Sequence, residues 1–230
     1  MRILLVEDEP ILRSSLKEFL ETNRFQVDSF DNGSDACHAG MEYAYDAAVV
    51  DAGLPDIDGF DVVKKWRSKQ REFPVIFLTA RDSQADIIKG LTEVGANDYT
   101  VKPCDPNVLL ARIKVHIKAY YRMASYIIKA DPLCIDLDKQ EASLDGKVLK
   151  LSPYEYRTLE VLIKNPGKVF SKKVISDHIY SLNEEPETNS IEVFISRLRA
   201  QLAPNKSNNP IETIRNKGYK FVWPINDVNR

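Results

Sequence analysis

At 230 residues, with 43% hydrophobic and 29% charged side chains and a formal net charge of −2, the chain can build two domains with sizeable cores. No run of 18 apolar residues occurs, and a strand begins directly after Met1 where a signal peptide would stand, so a cytoplasmic protein without membrane insertion is expected. Cys37, Cys104 and Cys134 show no C-x-x-C pairing, which argues against a zinc site or a disulfide framework; His38, His116 and His178 are equally scattered. Charge is uneven: residues 1–122 hold 16 Lys+Arg against 20 Asp+Glu, and residues 123–230 hold 16 against 14. Residues 188–220 alone hold six basic and two acidic side chains, enough to present a basic face to an anionic partner.

Met1–Val6 (MRILLV) reads as a buried strand that stops on Glu7-Asp8-Glu9-Pro10. A helix over Ile11–Thr22 follows, with Leu12, Leu16, Phe19 and Leu20 at helical spacing, and a second covers Gly33–Tyr43. Ala47–Val50 is an unbroken run of small and branched apolar residues, the pattern of a strand covered on both faces, and it ends on Asp51. Helix Phe60–Lys69, strand Val75–Leu78 stopping on Thr79-Ala80-Arg81, and helix Ser83–Val94 come next. Strand Asn97–Val101 stops on Lys102-Pro103, and a helix runs from Pro106 to about Arg122, with Ser83 and Asp105 as candidate N-caps. This alternation predicts a doubly wound α/β domain with a parallel sheet.

Parallel neighbours would gather Glu7, Asp8, Asp51, Thr79 and Lys102 at the carboxyl ends of their strands, where open α/β sheets place their chemistry. Carboxylates so close repel one another unless a hard cation with oxygen ligands holds them, so a magnesium site is implied. With a lysine and a hydroxyl nearby to screen an incoming phosphoryl group, Asp51 becomes a candidate phospho-acceptor.

The acidic pair Glu7-Asp8, Asp51 with Leu54-Pro55 and Asp58-Gly59, Thr79-Ala80 and Lys102-Pro103 together resemble a response-regulator receiver domain. The resemblance implies five parallel strands. It implies a magnesium ion bound by Asp8, Asp51 and the carbonyl of Gly53, with Glu7 acting through water. Thr79 and Lys102 would bind the phosphoryl group, and Tyr99 would switch with Thr79. It also implies a cis peptide before Pro103, and Cys104 stands where an aromatic is usual.

From Leu133 the pattern changes to short strands, Leu133–Leu137, Ala142–Leu144 and Val148–Leu151, with Asp145-Gly146 as a type I′ hairpin turn. Met123–Lys129 has no strong pattern and reads as a linker. Ser152-Pro153-Tyr154-Glu155 opens a helix with a capping box, running to about Lys164 with Tyr156, Leu159, Leu162 and Ile163 inward. Ser171 caps a helix through about Tyr180, and an acidic loop, 183–187, precedes a third helix from about Thr188 to Leu202. There Ile191, Ile195, Leu198 and Leu202 form one stripe, with Val193, Ser196, Arg197 and Ala200 opposite and Arg199 on the flank. Ile211–Val222 (IETIRNKGYKFV) is a basic hairpin with Arg215 and Lys217 in its turn, completing a winged helix-turn-helix.

The motifs Leu151–Tyr156, Asn165–Ser171, Val193–Arg199, Thr213–Arg215 and Gly218-Tyr219 resemble the winged-helix output domain of OmpR/PhoB regulators. This divides the chain into a receiver (1–122), a linker (123–130), an α+β DNA-binding domain (131–224) and a tail (225–230). The resemblance implies a two-component response regulator, phosphorylated on Asp51 by a sensor histidine kinase. It would be no enzyme beyond its own phosphoryl transfer and slow autodephosphorylation. Val193 and Arg197 would face base edges, Arg199 a phosphate and Arg215 the minor groove, and Asn216 replaces a usual glycine. Promoter DNA with direct repeats, RNA polymerase and a second copy are the implied partners. Of the dimer's usual charge pairs the chain keeps Asp98 with Arg112, while Ile88 and Val108 replace another, predicting a more apolar interface. A haloacid-dehalogenase-like phosphatase also forms an aspartyl phosphate at a strand end, but its second aspartate is Gly53 here.

Overall fold

The computed structural model describes residues 1–182, 184, 190–203 and 208–226. The chain divides into two compact units, Met1–Tyr120 and Tyr121–Arg230.

In the first unit five strands alternate with five helices. The strands are β1 (Arg2–Val6), β2 (Gln26–Phe30), β3 (Ala47–Val50), β4 (Val75–Thr79) and β5 (Asp98–Val101). The helices are α1 (Pro10–Thr22), α2 (Gly33–Glu42), α3 (Gly59–Ser68), α4 (Gln84–Thr92) and α5 (Pro106–Tyr120). The sheet order is β2-β1-β3-β4-β5 and every pairing is parallel. β1, β3 and β4 are buried along their whole length: the apolar runs Ile3–Val6, Ala47–Val50 and Val75–Leu78 are covered on both faces, and the buried Arg2 at the start of β1 is paired with Asp28 at 2.6 Å. β2 (QVDSF) carries no strand signature of its own: half polar at the sheet edge, it is recruited by pairing with β1. Trp66, Phe60 and Phe77 are the largest fully buried side chains, packed between sheet and helices. Ser83 caps α4, the Asp105 carboxylate accepts the Asn107 amide at the start of α5, and Lys102–Pro103 is cis.

The second unit opens with an antiparallel sheet in the order β6 (Ile127–Ala130), β7 (Leu133–Asp136), β8 (Glu141–Leu144) and β9 (Lys147–Val148). Two sequence expectations change here. Residues 127–130 of the expected 123–130 linker are a strand, because β7 supplies hydrogen-bonding partners and a face for Ile128 and Ala130 to bury against. The strand expected over Val148–Leu151 is only β9: its pairing with β8 covers two positions, after which the chain turns toward the next helix. Asp145 and Gly146 both have positive φ, 50° and 75°, as a type I′ turn demands.

Three helices follow: α6 (Pro153–Ile163), α7 (Lys172–Ile179) and α8 (Ser190–Leu202). α6 carries the full capping box, and Ser171 caps α7. Thr188 and most of the acidic 183–187 loop lie outside the described residues. β10 (Ile211–Ile214) and β11 (Gly218–Phe221) form the antiparallel hairpin, tied to Phe170 by a bridge at Tyr219. A Cβ at Gly218 would lie 1.9 Å from the Phe170 carbonyl oxygen, so only glycine allows this approach. Among the described residues no helix is long and apolar enough to cross a membrane.

Candidate functional site

Strand register brings the first set of residues together. Val6 pairs with Val50, and Val50 with Phe77, so Glu7, Asp51 and Thr79 leave adjacent strands on one edge of the sheet. Ligand atoms of Glu7, Asp8 and Asp51 lie within 4.8 Å of one another. Lys102, from the end of β5, places Nζ 2.6 Å from Asp51 Oδ2 and 2.7 Å from Glu7 Oε2. The other Asp51 oxygen accepts the Gly53 amide at 2.8 Å, which fixes the rotamer. Gly59 closes the loop behind it: a Cβ there would lie 2.1 Å from the Asp51 carbonyl oxygen.

Burial pushes the Glu7 carboxyl above its ordinary value, and the bond from Lys102 only partly offsets this. Burial pulls Lys102 the other way, but its bonds to Asp51 and Glu7 outweigh that and raise it. With the lysine counted, the fully ionised cluster of three carboxylates and one ammonium carries two net negative charges. An all-oxygen donor set with that deficit fits a divalent hard cation. Arg13, which the sequence reading passed over, donates to the carbonyls of Glu7 (2.7 Å) and Asp8 (3.0 Å) and braces the acidic loop. Only its position one helical turn into α1 hinted at this.

Thr79 is buried, with its hydroxyl accepting the Arg81 amide at 3.3 Å, and the Tyr99 hydroxyl donates to the Arg81 carbonyl at 2.9 Å. Beyond them, Ile88 on α4 is 59% exposed and Val108 on α5 is 47% exposed, with Leu91 and Val115 also open. Asp98 and Arg112, expected to pair between two copies, are bound within the chain (2.8 Å). α5 and β5 already set their side chains within reach of each other.

On α8 the predicted division of faces is present. Ile191, Ile195, Leu198 and Leu202 are buried, while Val193, Ser196, Arg197 and Ala200 are exposed. Arg197 keeps 63% of its side chain exposed, with Nη1 3.4 Å from Glu155 of the capping box. Arg199, expected at a phosphate, has its guanidinium engaged within the chain. Its Nε and Nη2 donate to Ile211 O (3.0 and 2.9 Å), Nη2 also reaches Thr213 Oγ1 (2.7 Å), and the guanidinium lies over the Tyr219 ring. It fastens the hairpin to α8, because the buried stripe turns position 199 toward β10. Arg215 and Lys217 are exposed in the hairpin turn, and Asn216 adopts φ 60°, a conformation that asparagine tolerates better than most residues.

The family described as "Response regulator receiver domain" matches residues 3–114, and that described as "Transcriptional regulatory protein, C terminal" matches residues 146–221. The virulence transcriptional regulatory protein PhoP of Salmonella typhi is 37% identical over 221 residues, covering 96% of this chain and 98% of PhoP. Escherichia coli K12 PhoP is 36% identical over the same length. Among solved structures, the receiver domain of the Francisella response regulator 1452 aligns with 52% of this chain and 98% of its own, at 28% identity and a TM-score of 0.50. A parallel sheet ending on an acidic cluster, a winged helix with an exposed basic face, and these matches along nearly the whole chain make it an OmpR/PhoB-type two-component response regulator, a transcription factor.

Proposed function

We propose that Asp51 is the phospho-acceptor and that its phosphorylation controls binding of the winged helix to promoter DNA. The observation that carries this is the Lys102 ammonium bridging Asp51 Oδ2 and Glu7, with Thr79 at the end of the neighbouring strand. Glu7, Asp8, Asp51 and the Gly53 carbonyl would hold a magnesium ion. When bound, that ion supplies positive charge against the phosphoryl oxygens. An Asp51 carboxylate oxygen attacks phosphorus on the phosphohistidine of a sensor kinase; the P–O bond forms as the P–N bond breaks, and the electron pair leaves with the imidazole. Lys102 moves from carboxylate to phosphoryl oxygen, and the Thr79 hydroxyl donates to another. Slow hydrolysis of the acyl phosphate would reset the chain.

In this reading the protein acts in the cytoplasm. Two receivers pair through the face of α4, β5 and α5, using Ile88 and Val108. The two winged helices then bind a direct repeat, with half-sites about one helical turn apart, and contact RNA polymerase there. Val193, Ser196 and Arg197 enter the major groove, and Arg215 and Lys217 lie along the hairpin edge. Labelling with acetyl phosphate and magnesium, in wild type and in Asp51→Asn, tests the assignment. Wild type takes up one phosphoryl group; retention of label in Asp51→Asn would overturn the reading.

A further inference from the structure

Tyr99 sits in a slot with four walls. Its ring lies 5.8 Å from Phe77 and 6.5 Å from Phe60 by centroid, and its hydroxyl donates to the Arg81 carbonyl at 2.9 Å. The fourth wall is Gly90 of α4, where a Cβ would come within 3.0 Å of the ring. The carbonyl acceptor is itself held by its own residue's side chain. Arg81 Nη2 binds Asp58 Oδ2 at 2.7 Å, and the guanidinium lies 5.3 Å from the Phe60 ring centroid. Asp58 is fixed in turn, since its other oxygen caps α3 by accepting the Phe60 amide at 2.9 Å. Arg81 thus binds across the two loops that border Asp51, while its amide donates to Thr79 Oγ1.

We propose that Arg81, held by Asp58, is a positioning residue: it fixes the carbonyl on which Tyr99 closes and thereby links Thr79 to the face formed by α4, β5 and α5. The inference rests on the reading of Thr79 and Tyr99 as a switch. Both partners are about one-third exposed, Arg81 at 34% and Asp58 at 36%, so the pair contributes direction more than stability. The loop after β4 has neither helix nor strand to set its carbonyls, and three bonds at one residue do so instead.

The experiment uses the full chain carrying 3-fluorotyrosine, read by fluorine NMR, with Tyr99→Phe identifying the Tyr99 resonance. Gly90→Ala, which crowds the ring and leaves the ion pair intact, shows that the resonance responds to displacement. Asp58→Asn keeps a helix cap and Arg81→Gln keeps a neutral hydrogen-bonding side chain while removing the charge and the reach to Asp58, and each should move the Tyr99 resonance from its wild-type position. The double variant should go no further than either single one, and Arg81→Lys should restore part of the signal. Asp51 labelling by acetyl phosphate should be unchanged in the Asp58 and Arg81 variants. A Tyr99 resonance at its wild-type position in both single variants, or additive displacement in the double variant, would overturn the proposal. Absence of labelling in wild type would instead overturn the phospho-acceptor reading, and the resonance remains measurable without any phosphodonor.

Discussion

Arg112 Nη1 lies 3.0 and 2.8 Å from the two carboxylate oxygens of Asp98 in the same chain, and His116 Nε2 adds a third contact at 3.2 Å. The charge pair that the family resemblance implies between two copies is thus formed within one chain. Ile88, Leu91, Val108 and Val115 remain as the exposed apolar part of that face. Exposed ion pairs contribute about 0–1 kcal/mol, whereas burying one branched apolar side chain contributes roughly 1.5–3 kcal/mol. Sedimentation of the phosphorylated protein should show a dimer that persists at high salt. Ile88→Asp should abolish it and Asp98→Ala should weaken it little. The opposite ranking would mean that the ion pair holds the dimer.

The same network sets an acid dependence. Burial pushes the Asp98 carboxyl up, but the bonds from Arg112, the Tyr99 amide and His116 outweigh this and hold it below the ordinary carboxylate range. A depressed folded-state value means stability that is fully present above the unfolded value, about 3.9. It is lost as pH falls through the folded one. Asp98→Asn should thus be less stable than wild type near neutrality, with the gap closing below about pH 4 in acid-unfolding curves.

Lys102 neutralises part of the acidic cluster, so Lys102→Ala should bind magnesium at least as tightly as wild type by calorimetric titration. Phosphorylation should then no longer change DNA affinity. Asp8→Ala removes a carboxylate from the cluster and should lose both magnesium binding and labelling. Loss of magnesium binding in Lys102→Ala would mean that the ammonium is needed to hold the carboxylates in place for the metal, and would overturn its assignment to the phosphoryl group alone.

Arg197 and Arg199 sit two residues apart on α8 but should behave differently. Arg197→Ala should cost roughly 1–3 kcal/mol at the cognate site and relax base preference there. Arg199→Ala removes the bonds to Ile211 and Thr213, which for a charged donor is worth about 1.5–3 kcal/mol of stability. Its melting temperature should fall, and its affinity should drop for all sequences with the salt dependence unchanged. A flattened salt slope in Arg199→Ala would restore a phosphate contact to this residue.

Gly218→Ala should be the most damaging single methyl addition in the hairpin. The new Cβ meets the Phe170 carbonyl, and φ of 137° strains any L side chain, together costing roughly 1–3 kcal/mol or more. Asn216→Gly, at φ 60°, should be close to neutral. Thermal unfolding of the two variants distinguishes a seat that demands glycine from a turn that merely prefers positive φ.

The strand runs ending on Glu7, Asp51 and Thr79 could be read from sequence because burial on both faces leaves a local apolar signature, whereas the half-polar, half-buried run before Lys102 is marked by its place between two helices. The capping box at Ser152, the Asp145-Gly146 turn and the buried stripe of α8 were legible for the same reason: each is set by neighbours within a few residues. Other features depend on segments far apart in the chain. β2 and half of the expected linker became strands only because β1 and β7 offered open edges. The sequence identifies Arg81, Arg112 and Arg199 as long cations beside a functional surface. Whether each meets a phosphate, a second copy or its own backbone was decided by where Asp58, Asp98 and Ile211 came to rest. A guanidinium takes the nearest acceptors that its backbone presents to it, and only the tertiary structure fixes those distances.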